Sequence, residues 1–361
     1  MNLTLQEVLI VGSSSQQVKF SELTMDMFRM LQTLEREPTG DIQHMYDDSP
    51  RQRFNLTPSV LNNKAYNLET GGPRCENPHK YLLFKPSPTQ ILVYLASGCN
   101  DLPPNGALLL YISADGHILP PSKHPEDIGY DIGGLITTSK TELYRESAKD
   151  PKGNQSKCKE LQCFHPGDLY PFTRRPLFII IDSDNSYVFQ NIPRHFGHPM
   201  VVLMSPLELP NSLHVTSSDR KQQGSLFTMF LHSPLTAFCH ICDIHTISLV
   251  HWERAQSYID TFMTETSQIV TRSRIDVMFL NFMGDDFLRL LIIRFIFCEV
   301  VLRMHRSFRT RTQLARSSPP IPDDLLEHPA LIHIVMDLAS HLQVRAHFQD
   351  QSASGPPPMK D

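Results

Sequence analysis

Apolar residues come in short unbroken runs through the first two thirds of the chain and at helical spacing in the last third. The run from Leu5 to Val11 closes on Gly12-Ser13 and predicts a strand. Tyr81 to Phe84 predicts another, and Ala107 to Ser113 a third, buried on both faces, with Pro103-Pro104-Asn105-Gly106 as the turn before it. Between them, Ser87-Pro88 sets an N-cap serine and an N1 proline ahead of Ile91, Leu92, Tyr94 and Leu95, which predicts a helix ending near Gly98. Pro176 to Asp182 is continuously apolar up to its acidic end, as parallel strands covered on both faces are. A short helix around Tyr187 to Ile192 and a strand from Pro199 to Ser205 complete a βαβ unit, so the fold class is α/β with a mostly parallel sheet flanked by helices.

The remaining pattern is helical or polar. Met27, Met30, Leu31 and Leu34 give one apolar helical face before Pro38 and Gly40 stop it. Leu226 to Phe238 reads as helix with a break at Ser233-Pro234. Trp252, Tyr258, Ile259, Phe262 and Ile269 lie on a long helix. Ile275 to Phe308 gives another, with Met278, Phe279, Phe282, Leu290 and Leu291 inward, stopped by Ser317-Ser318-Pro319-Pro320; Pro329 to Leu342 gives the last. The expected organisation is an α/β core over 1–248 with polar inserts at about 39–78 and 114–168, a helical C-terminal layer over 249–349, and a disordered tail over 350–361.

Composition narrows the function. The 361 residues carry a formal charge of -5, which provides no global basic field for nucleic acid. The 7 cysteines, an odd number with several in apolar runs, argue for a reducing compartment rather than a disulfide framework. Met1 to Thr4 shows no basic signal-peptide start, and the apolar stretch Leu290 to Leu302, interrupted by Arg294 and Glu299, is too short for a membrane span, which needs about 20 residues.

Four constellations are candidates for chemistry. Asp182, Asp184 and Ser186 after a buried strand resemble the first motif of haloacid-dehalogenase-type phosphatases, with Ser205, Lys221 and Gly284-Asp285-Asp286 in the later roles. Against that, the first two motifs lie only about 20 residues apart, Asp285 has Arg289 as an i+4 partner, and Asp and Ser are ordinary helix caps. The strand ends Ser113-Ala114-Asp115-Gly116 and Asp182-Ser183 resemble the layout of caspase-type peptidases, but Ser183 stands at the cysteine position and Asp115 at the histidine position, so the dyad is missing. Cys239, Cys242, His245 and His251 offer half a zinc site in apolar surroundings that suit buried core thiols better. Arg303, Arg306, Arg309, Arg311 and Arg316, with His305, suit a solvated helix end. No catalytic, cofactor-binding or metal-binding residue is therefore assigned, and no enzyme is expected.

A longer block is more specific. His165-Pro166-Gly167-Asp168-Leu169-Tyr170-Pro171-Phe172-Thr173-Arg174-Arg175-Pro176, continuing to Ser183, resembles the signature region of the SCAI (suppressor of cancer cell invasion) family. Val18 to Met30, Glu76 to Leu83, Gly224 to Thr228 and Asp286 to Cys298 are similar to further blocks of it, in order. Family members carry a helix-rich N-terminal portion before the point in the pattern where this sequence starts. The resemblance implies a non-catalytic corepressor, nuclear with a cytoplasmic pool. Its implied role is to restrain myocardin-related transcription factor and serum response factor output downstream of Rho, and with it cell migration. It also implies a link to DNA double-strand break repair through mediator proteins. No cofactor, no small-molecule substrate, and no direct contact with nucleic acid or membrane is expected. Partner contacts are expected at His165, Asp168, Tyr170, Phe172, Arg174 and Arg175.

Overall fold

The computed structural model describes residues 3–13, 78–119, 129–139, 161–213 and 225–349. The expected helix on Met27 to Leu34, most of both polar inserts, Lys221 and the 350–361 tail lie outside the described residues.

Among the described residues, six strands form the main sheet: β1 (Thr4–Gly12), β2 (His79–Phe84), β3 (Gly106–Ser113), β7 (Leu177–Asp182), β8 (Met200–Met204) and β9 (Arg316–Ser318), in the order β2-β1-β3-β7-β8-β9. All neighbours are parallel except β8 and β9. The α/β class read from the apolar runs is the class observed. Helix α1 (Pro88–Asp101) starts as its sequence requires: the Ser87 hydroxyl accepts from the Gln90 amide at 3.3 Å and Gln90 Oε1 accepts from the Ser87 amide at 2.8 Å.

The period of two in the strands sorts their side chains into two cores. Leu9, Val11, Leu110, Ile112, Ile179, Ile181 and Val202 face α1 and the 3-10 turns Pro166–Arg174 and Ser186–Asn191. Val8, Ile10, Leu109, Tyr111, Phe178, Ile180 and Leu203 face a layer built from α2 (Leu226–His232), α3 (Pro234–Ile241), α4 (Leu249–Arg272), α5 (Val277–Phe282), α6 (Asp286–Met304), α7 (Asp323–Leu326) and α8 (Pro329–His341). α6 runs through the middle of that layer and is buried on nearly every side, which explains its all-round apolar sequence. No helix among the described residues is long and apolar enough to cross a membrane.

Two segments differ from expectation. The single helix expected over Ile275 to Phe308 is two, because Asp285 leaves helical geometry and caps α6, accepting from the amides of Phe287 and Leu288 at 3.0 Å each. Its expected partner Arg289 pairs with Asp286 instead, at 2.7 Å. Ser317-Ser318, read only as a helix stop, is part of β9 and closes the sheet beside β8. Within the stretch read as a polar insert, β4 (Gly116–His117), β5 (Gly134–Ser139) and β6 (Leu161–Phe164) form a small antiparallel sheet.

Candidate interaction site

Every member of the acidic strand end is engaged in holding the fold. Asp182 is buried, and its Oδ2 accepts from the Thr228 hydroxyl at 2.6 Å; that hydroxyl lies 2.8 Å from Tyr111 Oη. Burial raises the Asp182 carboxyl above its usual range, and hydrogen bonds from Ser225 and Thr228 partly counter this. The Ser183 amide donates to Ser205 Oγ at 2.9 Å, and its hydroxyl accepts from the Asn185 amide at 3.1 Å. Asp184 Oδ1 accepts from the Gly116 amide at 2.6 Å, while the Asn185 side chain donates to the carbonyls of His117 and Gly134 at 3.0 and 3.3 Å. The loop after β7 therefore clamps the small sheet to the carboxyl end of the large one.

This arrangement disperses the phosphatase constellation. Asp285 Oδ2 accepts from the Leu5 amide at the start of β1. Asp182 sits beside Ser113, which sits beside Gly12 at the other end of β1. A strand rise of about 3.3 Å per residue separates those two ends by roughly 23 Å, far beyond any shared metal. No group of three His, Cys, Asp or Glu side chains capable of holding a metal occurs among the described residues.

The other candidates are also absorbed by packing. Cys239 and Cys242 are buried free thiols at the end of α3, with burial pushing Cys239 up to about 11 and Cys242 higher still. His245 turns to Asp243 at 2.9 Å. Among the arginines, Arg303 bridges Glu299 and Asp323 at 2.9 Å each, Arg306 donates to the Phe348 carbonyl at 3.0 Å, and Arg316 stacks 4.1 Å from the Tyr187 ring. They are spread over separate partners rather than aligned on one binding face.

A concave surface does form in the block His165 to Arg175. A groove of about 430 Å³ lies between α1 and the Pro166–Arg174 turn, lined by Thr89, Leu92, Val93, Ala96, Tyr130, Gly167, Asp168, Pro171 and Phe172. Two expected contact residues, Asp168 and Phe172, line it. His165 supports it: its amide donates to Asp168 Oδ2 at 2.8 Å, and Nδ1 lies 3.1 Å from the Gly133 carbonyl. Tyr130 donates to Asp168 Oδ1 at 3.2 Å and leans on the His165 ring at 5.5 Å. A Cβ at Gly167 would meet the Tyr130 ring, so the bare glycine backbone lets that ring approach the turn. Tyr170 packs into the core beneath. Arg174 and Arg175 lie at the other end of the turn, where the Arg174 guanidinium sits 4.5 Å over the Phe196 ring. Sequence reasoning missed the α1 wall. Its signal was present: Val93 adds an apolar residue on the side of α1 away from buried Ile91 and Leu95, and it is 61% exposed.

The chain matches the Protein SCAI family over residues 1–308. The chain belongs to the SCAI family. It is 43% identical to Protein SCAI of Mus musculus over 97% of this chain and 54% of that protein. Identity to Protein SCAI of Homo sapiens is 44% over 96% and 54%. The Protein SCAI homolog of Dictyostelium discoideum is 27% identical over 95% of this chain and 59% of its own length. The chain thus spans about half the length of the SCAI relatives it matches. Among solved structures it is similar to Chaetomium thermophilum Raptor, with a TM-score of 0.47 and 14% identity over 95% of this chain and 29% of that one.

Proposed function

We propose that this SCAI-family chain is a transcriptional corepressor that acts by protein–protein contact in the nucleus, restraining output of the myocardin-related and serum response factor type. The observation that supports the reading is the family match over residues 1–308, because the resemblance to that family is what implies this role. The groove between α1 and the Pro166–Arg174 turn is its proposed contact surface. It is concave and largely apolar, with Asp168 held in place by His165 and Tyr130. The structural use of Asp182, Asp184 and Asp285 favours this reading over hydrolysis. The test is a serum-response-element reporter in cells expressing the chain: reporter output falls if the reading holds, and output unchanged at equal expression contradicts it.

A further inference from the structure

We infer that the cavity bordered by α2, α3, α4 and α6 binds a small organic carboxylate with an apolar body, its charged end on Arg294 and its body against Trp252. The cavity lies in the helical layer, across the sheet from the Pro166–Arg174 turn, and the inference goes beyond the corepressor reading.

The cavity sits at a break in the chain. Ser233 leaves helical geometry at φ -138°, and Pro234 restarts the helix as α3. A space of about 410 Å³ lies between this corner, α4 and α6. That volume falls in the range of small-ligand pockets. Its lining follows the helical period. Trp252, Gln256, Ile259 and Met263 share one face of α4, and Leu290 and Arg294 share one face of α6. Leu235 of α3 joins the apolar walls, and Leu235 and Ile259 are each 2% exposed.

The polar members favour an anion. Arg294 Nη1 donates to the Leu231 carbonyl at 2.9 Å, which fixes the guanidinium at the last turn of α2. That bond uses one of the five N–H donors of a guanidinium. Burial lowers the Arg294 pKa, so a carboxylate beside it offsets the cost of holding the cation away from water. His232 also lines the cavity, its Nδ1 lying 2.9 Å from Ser233 Oγ. The first turn of α3 borders the same space and adds partial positive charge, and the Ser233 side chain makes no capping bond to it. Asp260, the carboxylate of the lining, is exposed and accepts from Gln256 Nε2 at 3.0 Å, so water weakens its field.

A carboxylate suits this lining better than a phosphate. One guanidinium holds a carboxylate through two parallel N–H bonds. A phosphate dianion calls for further cations, and the described lining holds one arginine and no lysine. The walls of Trp252, Leu235, Ile259, Met263 and Leu290 match an apolar body.

The test uses the full chain, octanoate as probe and tryptophan fluorescence as readout, because Trp252 is the single tryptophan of the sequence. The expected result is a saturable change with octanoate and weaker responses to octanol and octylammonium. Arg294→Gln is expected to weaken octanoate binding at least about tenfold, as loss of a charge-assisted hydrogen bond does, and to leave octanol binding unchanged. Thr236→Phe, at an exposed position of the lining, is expected to block octanoate without disturbing the core, and decides the matter if the arginine variant fails to fold. Equal binding of octanoate and octanol, octanoate binding unchanged in either variant, or no saturable response overturns the inference.

Discussion

Thr228 of α2 donates its hydroxyl to the Asp182 carboxylate at 2.6 Å, joining the end of the central strand to the helical layer from 46 residues away. Tyr111 completes the contact from β3 at 2.8 Å. The carboxylate is thus a structural acceptor inside the protein. Burial raises its pKa, so the stability it contributes is full below the unfolded value near 3.8 and declines as pH rises toward the folded value. Asp182→Asn keeps an acceptor for Thr228 and removes the buried charge; it is expected to be at least as stable as the parent at pH near 7. Asp182→Ala strands the hydroxyls and is expected to cost about 1–3 kcal/mol. Urea denaturation of the three proteins decides, and a strongly destabilised Asn variant counts against this account.

Glu299 predicts a second pH dependence. It is buried in α6 with Oε2 lacking a hydrogen-bond partner, and burial pushes it up to about 7 in spite of Arg303. Burial works against the Arg303 charge too, but Glu299 and Asp323 together more than offset it. Because the Glu299 value is raised, its contribution is full below about 4.5 and lost as pH climbs to about 7. Glu299→Gln should flatten that part of the profile, with a difference on the order of 1–3 kcal/mol between its ends. Melting temperature scanned against pH measures it; parallel profiles for parent and variant would remove Glu299 from the account.

His305 works in the opposite direction. It is 1% exposed among Phe308, His347 and Phe348, and burial lowers it to about 4. Its neutral form is the folded form, so stability is full above 6.5 and falls as pH drops toward 4. His305→Phe should remove acid sensitivity in that window while leaving the alkaline side unchanged. An acid midpoint identical to the parent's would show that the imidazole is not the sensitive group.

Gly167 links fold and groove. A methyl group there collides with the Tyr130 ring, which lines the groove and donates to Asp168. Gly167→Ala is expected to displace the Tyr130 ring, which is 42% exposed and can swing outward, at a cost of about 1 kcal/mol or less. Tyrosine fluorescence and thermal melts, compared with Gly197→Ala as a control for backbone strain without collision, report both effects. Tyrosine fluorescence unchanged from the parent in Gly167→Ala contradicts the contact.

What the sequence disclosed followed from local physics. The unbroken apolar run of β7 announced a doubly covered parallel strand, and Ser87-Pro88 announced the start of α1, because burial on both faces and helix capping leave their mark within a few residues. β9 was hidden, since three residues with Ser317 and Ser318 form a strand only through long-range pairing with β8. The partners of the acidic strand end were hidden for the same reason: Thr228 and Gly116 lie far off in sequence. Of the groove, the Pro166–Arg174 side stood out as a block, whereas nothing local set Val93 apart from the other apolar residues of α1.

The central claim is that the SCAI-family chain works through contacts at this surface. Its most direct test is co-precipitation of a myocardin-related factor with the parent and with Val93→Asp combined with Phe172→Asp, circular dichroism confirming equal folding. The account predicts capture by the parent and a loss of at least about tenfold in the variant, as expected when an interface centre is made charged. Equal capture by both proteins, or none by the parent, would contradict it.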